Sequence, residues 1–276
     1  MTRHDDWRGA AAQLARAGTA RGRAHLGCCA IEGYRLFERA LAAGHAPTSV
    51  IVSQRLVDAP TERAMAILRT LAERDVDAFI APDEALDVLT EGRTFGDIVG
   101  LVPLPPPLDL EAACAGARAT GVALLVACEV LEPGNVGALV RTALAGGAAG
   151  FVALGGADPF HPKAVRTSMG AVFRLPIGRV PLAEAATLYA TCARHGVGLV
   201  GLATGDRPPL WEAPALCPRA AVLMGSEAFG LSDGQLAACD AVVTIPMPDH
   251  VDSYSVNAAA AVALFEWQRA AAVGAR

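Results

Sequence analysis

The stretch Ala221-Val222-Leu223-Met224-Gly225-Ser226-Glu227-Ala228-Phe229-Gly230-Leu231-Ser232 decides how this chain is read. Its first four residues form a short apolar run, the pattern of a buried strand. The run breaks into a loop that carries two glycines and one acid. Gly225 and Gly230 tolerate backbone angles closed to other residues and let a flat ligand approach the main chain. Glu227 stands between them, where a carboxylate can accept hydrogen bonds from a substrate or from neighbouring side chains. The plain alternative is a strand-to-helix turn with Ser232 capping the next helix.

Outward from this loop, the chain from about Leu108 alternates strands and helices. Strands are expected at 123–127, 151–154, 198–202, 221–224 and 241–245. Helices are expected near 136–145, 163–169, 182–195, 233–238 and 253–269. The pattern implies an α/β domain with a mostly parallel sheet covered on both faces, whose ligands bind beyond the carboxyl ends of the strands. Upstream, residues 23–104 alternate again and imply a smaller α/β domain. Its helices are expected at 31–43, 61–74 and 83–89, the last introduced by Pro82 and capped by Asp83, with strands at 49–53, 78–80 and 98–102. Pro105-Pro106-Pro107 stops regular structure and reads as the linker, so the domains are 23–104 and 108–276. Residues 1–22 form an arm, a polar lead-in and a short helix.

Composition narrows the function classes. The chain has 276 residues, 53% of them apolar, enough for sizeable cores. It has no uninterrupted apolar stretch able to span a bilayer and no apolar core near the amino terminus, so a cytoplasmic location is expected. Seven dispersed cysteines without a CxxC pair suit reduced thiols better than disulfides or zinc. A net charge of −5 weighs mildly against nucleic acid. Yet Lys163 is the single lysine, so the positive charge is nearly all arginine, whose planar fork suits phosphate and base recognition. Arg3, Arg8, Arg16, Arg21 and Arg23 crowd the amino terminus, either as a solvated helix face or as an RNA-contacting arm.

Two further loops lie at strand ends. In Glu132-Pro133-Gly134-Asn135-Val136-Gly137-Ala138-Leu139-Val140-Arg141-Thr142-Ala143, Asn135 is placed to cap a helix. Arg141 follows it by six residues, near two turns, so both are expected on one side. This loop carries neither GxGxxG nor GxxxxGK[ST]. The other loop runs from Ile245-Pro246-Met247 to Ser253-Tyr254-Ser255-Val256-Asn257 and an alanine-rich helix. Asp240, Asp249 and Asp252 have no His or Cys at ligand spacing, so no metal is expected.

Taken together, N-x₅-R-T-A, G-x-E-x-x-G-L-S and I-P-M with a serine-containing helix start resemble the three motifs of the SpoU family, RNA ribose 2′-O-methyltransferases of the SPOUT class. Asp158-Pro159-Phe160-His161-Pro162-Lys163-Ala164-Val165-Arg166-Thr167-Ser168-Met169-Gly170-Ala171 is similar to the family's stretch between its first two motifs. Residues 23–104, with Ile31-Glu32-Gly33 opening a helix, resemble the family's L30e-like substrate domain. The resemblance implies S-adenosylmethionine as cofactor, a structured rRNA or tRNA as partner, a trefoil knot in the carboxyl-terminal domain and a homodimer. It places Leu202, Thr204, Gly225, Gly230, Ile245, Met247, Ser253 and Tyr254 around the cofactor. Asn135, Arg141, Glu227 and Ser255 then form the catalytic set. Arg141 matches a family arginine often assigned as general base. A guanidinium does not deprotonate in a protein, so electrostatic stabilisation and phosphate clamping suit it better.

The family asparagine of Ser-Leu-Asn-Val falls on Ser255 when counted without gaps from Ile245, while Asn257 stands two residues later. Two residues are about 200° of helix, so the two side chains cannot share one direction. The gap-free count favours Ser255; a reshaped helix start would favour Asn257. A non-catalytic RNA-binding paralogue would carry much the same pattern and is separated by failure to bind the cofactor. An α/β enzyme acting on a small metabolite is separated by tight, salt-dependent RNA binding.

Overall fold

The computed structural model describes residues 3–4, 6–91, 97–116 and 121–274. Met1, Thr2 and Asp5 of the expected lead-in, and the Arg3 side chain, lie outside what is described. The chain divides into two compact units, Met1–Pro105 with Phe160–Phe173, and Pro106–Pro159 with Arg174–Arg276.

The first unit is built on a mixed sheet of β1 (Arg3–His4), β2 (Cys28–Glu32), β3 (Ser49–Ser53), β4 (Asp77–Ala81) and β5 (Ile98–Pro103), in the order β1-β4-β3-β5-β2. β1, β4 and β3 run parallel, while β5 is antiparallel to both β3 and β2. Cys28–Glu32 was not expected as a strand. Ile31 and Glu32 extend along β5, and the helix starts only at Tyr34, after Gly33 turns the chain at φ 79°. Asp83 is the first residue of its helix rather than the cap, and its carboxylate accepts from the Arg55 backbone N–H at 2.9 Å. Arg23, grouped by sequence with the amino-terminal arginines, lies in the interior. It is 1% exposed, and its guanidinium donates to the carbonyls of Ala17 and Gly18 at 2.9 and 3.1 Å, a staple between two helices. The segment Phe160–Phe173 adds the helix Pro162–Thr167 against β2, with Arg166 paired to Glu32 at 3.5 Å. Arg39 donates to the Met169 carbonyl in the same place.

The second unit carries β6 (Gly121–Cys128), β7 (Gly150–Leu154), β8 (Ile177–Val180), β9 (Gly198–Leu202), β10 (Arg219–Met224) and β11 (Ala241–Val243). All six are parallel, in the order β11-β9-β10-β6-β7-β8. β8 was not expected; Gly178 and Arg179 interrupt any apolar run there. Every residue of β7, and all but the first of β6 and β10, is buried, so these central strands read as continuous apolar runs. The register sets Met224 opposite Ala127 on one side and Leu202 on the other, with Val243 opposite Leu202. The loops after β6, β9, β10 and β11 therefore leave the sheet along one edge. The carboxyl-terminal helix Val256–Gly274 packs on the helix Pro133–Ala145. Their approach is close: a Cβ on Gly146 would lie 2.7 Å from Leu264. Trp267, 1% exposed, anchors the far end through an Nε1–H donated to the Cys217 carbonyl at 3.0 Å.

Candidate active site

The loop after β10 is held by its own backbone. The Ser226 N–H donates to the Gly230 carbonyl at 3.1 Å, and the Gly230 N–H returns to the Ser226 carbonyl at 2.9 Å. Glu227, Ala228 and Phe229 are the three residues between these anchors. Gly230 stands at φ 67°. At Gly225 space decides: an added Cβ would sit 2.1 Å from the Gly230 carbonyl carbon, so the loop closes only over a glycine. Ser232 then caps the helix Asp233–Ala238 in a reciprocal capping box with Gln235. The Gln235 amide also donates to Glu129 at 3.1 Å, tying this loop to the end of β6.

The loop after β6 enters its helix earlier than the sequence suggested. Glu132, not Asn135, is the cap: its carboxylate accepts from the Asn135 N–H at 2.8 Å, and Pro133 fills the first helical turn. Relieved of capping, the Asn135 side chain donates to Glu227 and accepts from the Asn257 amide at 3.4 Å. An ionised carboxylate only accepts, so Asn135 must turn its NH₂ to Glu227 and its oxygen to Asn257. Asn257 must then present its own NH₂. Its Oδ1 is left buried without a hydrogen-bond partner. The chain of bonds runs Asn257 to Asn135 to Glu227 and joins all three loops.

Ser255 plays a different part. Its hydroxyl accepts from the Ala258 N–H at 3.3 Å and its carbonyl from the Ala259 N–H at 3.0 Å, which makes it the cap of the last helix. The structure thus turns Asn257, where the gap-free count favoured Ser255, onto Asn135. Arg141 also differs from expectation. Six residues at about 100° each leave it about 120° around the helix from Asn135. It is exposed, and among the described residues its side chain makes no hydrogen bond or ion pair.

Beside the asparagine–glutamate chain lies a cavity of ≈ 550 Å³ bounded by the loops after β9, β10 and β11. Leu202, Thr204, Gly225, Gly230, Ile245, Met247, Ser253 and Tyr254 all line it, together with Glu227 and Phe229. Cys128 and Cys239 stand behind this edge. Burial pushes both thiols up, Cys239 to about 11, so they stay protonated near neutral pH and are poor nucleophiles. Among the described residues no group of three or more His, Cys, Asp and Glu could hold a metal ion. Asn257, Glu132 and Gln235 are the site residues that sequence reasoning did not assign. The acid before Pro133 and the Ser-x-x-Gln pattern were visible signals for the last two.

Comparison with known proteins identifies the family. The SpoU rRNA Methylase family matches residues 123–265. A 23S rRNA (uridine(2479)-2′-O)-methyltransferase of Streptomyces viridochromogenes is 30% identical over 208 residues, covering 74% of this chain and 70% of that protein. The 23S rRNA (guanosine(2553)-2′-O)-methyltransferase RlmP of Bacillus subtilis (strain 168) is 28% identical over 236 residues, covering 85% and 86%. Among solved structures, the SpoU methyltransferase AviRb of Streptomyces viridochromogenes superposes with a TM-score of 0.80 at 26% identity, over 96% of this chain and 98% of that one. AviRb has also been solved in complex with the cofactor AdoMet. With the family's segment running from within β6 into the last helix and covering all three converging loops, this chain belongs to the SpoU methylase family.

Proposed function

We propose that the protein transfers a methyl group from S-adenosylmethionine to a ribose 2′-hydroxyl of structured RNA, with ribosomal RNA as the substrate class. The single observation that carries this reading is the Asn257–Asn135–Glu227 chain at the side of a cavity bounded by three strand-end loops. The cavity fits the cofactor. Its apolar residues Leu202, Ile245 and Met247 suit a flat base, and Thr204 and Ser253 offer hydroxyls to a sugar and an amino acid. When bound, S-adenosylmethionine supplies an electrophilic methyl on a positively charged sulfur.

The protein's own residues supply alignment and charge. Asn135 is pinned at both ends of its amide, so Glu227 is held at a fixed orientation. The second oxygen of Glu227, an exposed residue, would accept the hydrogen of the ribose hydroxyl, with the methyl supplied by the bound cofactor. Arg141, exposed and unpaired, clamps a phosphate and offsets negative charge developing on the ribose oxygen.

Residues 23–104 select the RNA and residues 108–276 carry the chemistry, with the family's trefoil knot shaping the cofactor site. A homodimer completes it: Val262 and Phe265 are exposed on the last helix, a surface suited to a second copy. No helix among the described residues is long and apolar enough to cross a membrane. A ribosomal substrate implies work in the cytoplasm.

The test is transfer of tritiated methyl to ribosomal RNA and transfer RNA from cells lacking the protein, with the product mapped by alkali resistance. Labelled, alkali-resistant ribosomal RNA is expected, and Glu227→Gln should abolish it while the cofactor still binds. A protein that binds neither cofactor nor RNA ends this reading. Binding of RNA without the cofactor would identify a non-catalytic paralogue.

A further inference from the structure

Phe229 is the most exposed phenylalanine among the described residues. Phe37, Phe151, Phe160 and Phe173 are buried and Phe265, on the last helix, is 61% exposed, while Phe229 is 91% exposed, more than any other large apolar residue among those described. A lone exposed apolar side chain is ordinary on a mobile surface. This one is not on such a surface. The paired bonds between Ser226 and Gly230 fix both ends of its loop, and the Phe229 N–H donates to the Ser226 hydroxyl at 3.3 Å. The same three-residue loop hands Glu227 to Asn135 at one position and, two residues later, turns an aromatic ring into solvent. Phe229 also borders the cavity, so the ring stands at its mouth.

A turn of this kind is served as well by serine, asparagine or aspartate, which hydrogen-bond locally and cost nothing in water. A phenylalanine adds no buried area to the fold at this position. What it adds is a flat apolar face beside the reactive carboxylate. Nucleobases present such faces, and stacking on an aromatic ring is tolerant of sequence because every base has one. Single-stranded or bulged RNA exposes those faces, whereas a base within a duplex stack does not.

We infer that Phe229 is a stacking platform for a base of the RNA, which holds the target nucleotide's ribose against Glu227. The inference rests on the proposed methyl transfer to RNA and adds a residue that sets which structures are accepted: unpaired nucleotides are, continuous duplex is not. The ring acts by binding RNA rather than on the reacting atoms. Its loss therefore shows in the apparent affinity for RNA more than in turnover.

The experiment uses the full-length protein, ribosomal RNA from cells lacking it, and tritiated S-adenosylmethionine. Phe229→Ala is expected to raise KM for the RNA by about 5- to 150-fold, with kcat changed far less. Phe229→Trp should restore KM, and Phe229→Leu, apolar but without a ring, should not. Cofactor affinity measured by calorimetry should be the same in all four proteins. If the wild type labels no RNA, the functional reading itself has failed, independently of Phe229. If the wild type is active and Phe229→Ala matches it, the platform is excluded. Weaker cofactor binding in Phe229→Ala would make the ring a lid on the cofactor instead. A change in sedimentation would make it a contact between subunits; either result overturns the proposal.

Discussion

The loops that deliver Glu227 and Asn257 do the same job with opposite constraints. Both leave the same edge of a parallel sheet and end in a serine-capped helix. The first is closed at every step, by the glycine at 225, the Ser226–Gly230 pair and the capping box. The second, from Pro248 to Ser255, is exposed throughout and held inside by a single backbone bond, Val251 N–H to the Pro248 carbonyl at 2.9 Å. A loop whose backbone is over-determined keeps its residues at a fixed spacing from the strand. A loop held only at its ends can change length and still deliver its functional residue, because the following helix, not the loop, fixes the direction of the side chain. Asn257 is fixed by the packing of the last helix on the helix Pro133–Ala145.

The largest expected effect therefore comes from the closed loop. Gly225→Ala puts a methyl into the Gly230 backbone, which cannot yield as a flexible side chain would. A loss of ~1–3 kcal/mol is expected, together with loss of methyl transfer. Thermal melts and the tritium assay check it, and an alanine variant with normal melting and activity would mean that the loop is less constrained than its backbone pairing implies.

The open loop predicts a division of labour. Asn257→Ala removes the donor that pins Asn135 and should lower kcat by about a hundredfold or more, with melting little changed. Ser255→Ala removes a helix cap and should cost about 1 kcal/mol in stability with a much smaller loss of turnover. Paired melts and kcat values on the two variants decide it. The opposite ranking would return the polar role to Ser255 and leave the Asn257–Asn135 bond as packing.

Arg141 is expected to follow on a smaller scale. Arg141→Lys keeps the charge but not the fork, so binding of RNA should weaken by about tenfold while cofactor affinity holds. A lysine variant with full activity would remove the clamp and leave only a surface charge.

The same contrast explains what could be read in the sequence. Gly225, Glu227, Gly230 and Ser232 were legible because steric and capping rules act within a few residues. The central strands were legible because burial on both faces demands unbroken apolar runs, as in Leu124–Ala127 and Ala221–Met224. Cys28–Glu32 failed that test because Ile31 also fits the apolar spacing of the helix that follows. Asn135 reads as a cap by residue type, while the Glu132–Pro133 pair is what starts the helix. Asn257 stands in the sequence only as the alternative to Ser255, because its contact joins residues 122 apart and depends on the path of an open loop, which no local pattern encodes. Arg23 is similar, since a buried guanidinium bonded to two carbonyls has the same sequence signature as an exposed one.

The smallest expected effect is the sharpest test of the comparison. Asn257 stands two residues beyond the position that the family's spacing assigns, and the extra length lies in the exposed stretch before Ser255. Asp249 and His250 are the middle of the turn closed by Val251 and Pro248, and neither borders the cavity, which begins again at Asp252. Deleting both shortens a loop whose closure entropy varies only slowly with length. The ends of the loop do not move, because Ile245 lies two residues beyond the end of β11 and Ser255 caps a helix held by Trp267 and Leu264. The double deletion should therefore leave kcat within a few-fold and the melting temperature within a few degrees. Removing two residues between Ser226 and Gly230 should instead abolish activity, since no path remains that satisfies both backbone bonds and the contact of Glu227 with Asn135. If the deletion of Asp249 and His250 proves as damaging, the turn at Pro248 is itself part of the site, and the difference between the two loops is one of sequence only.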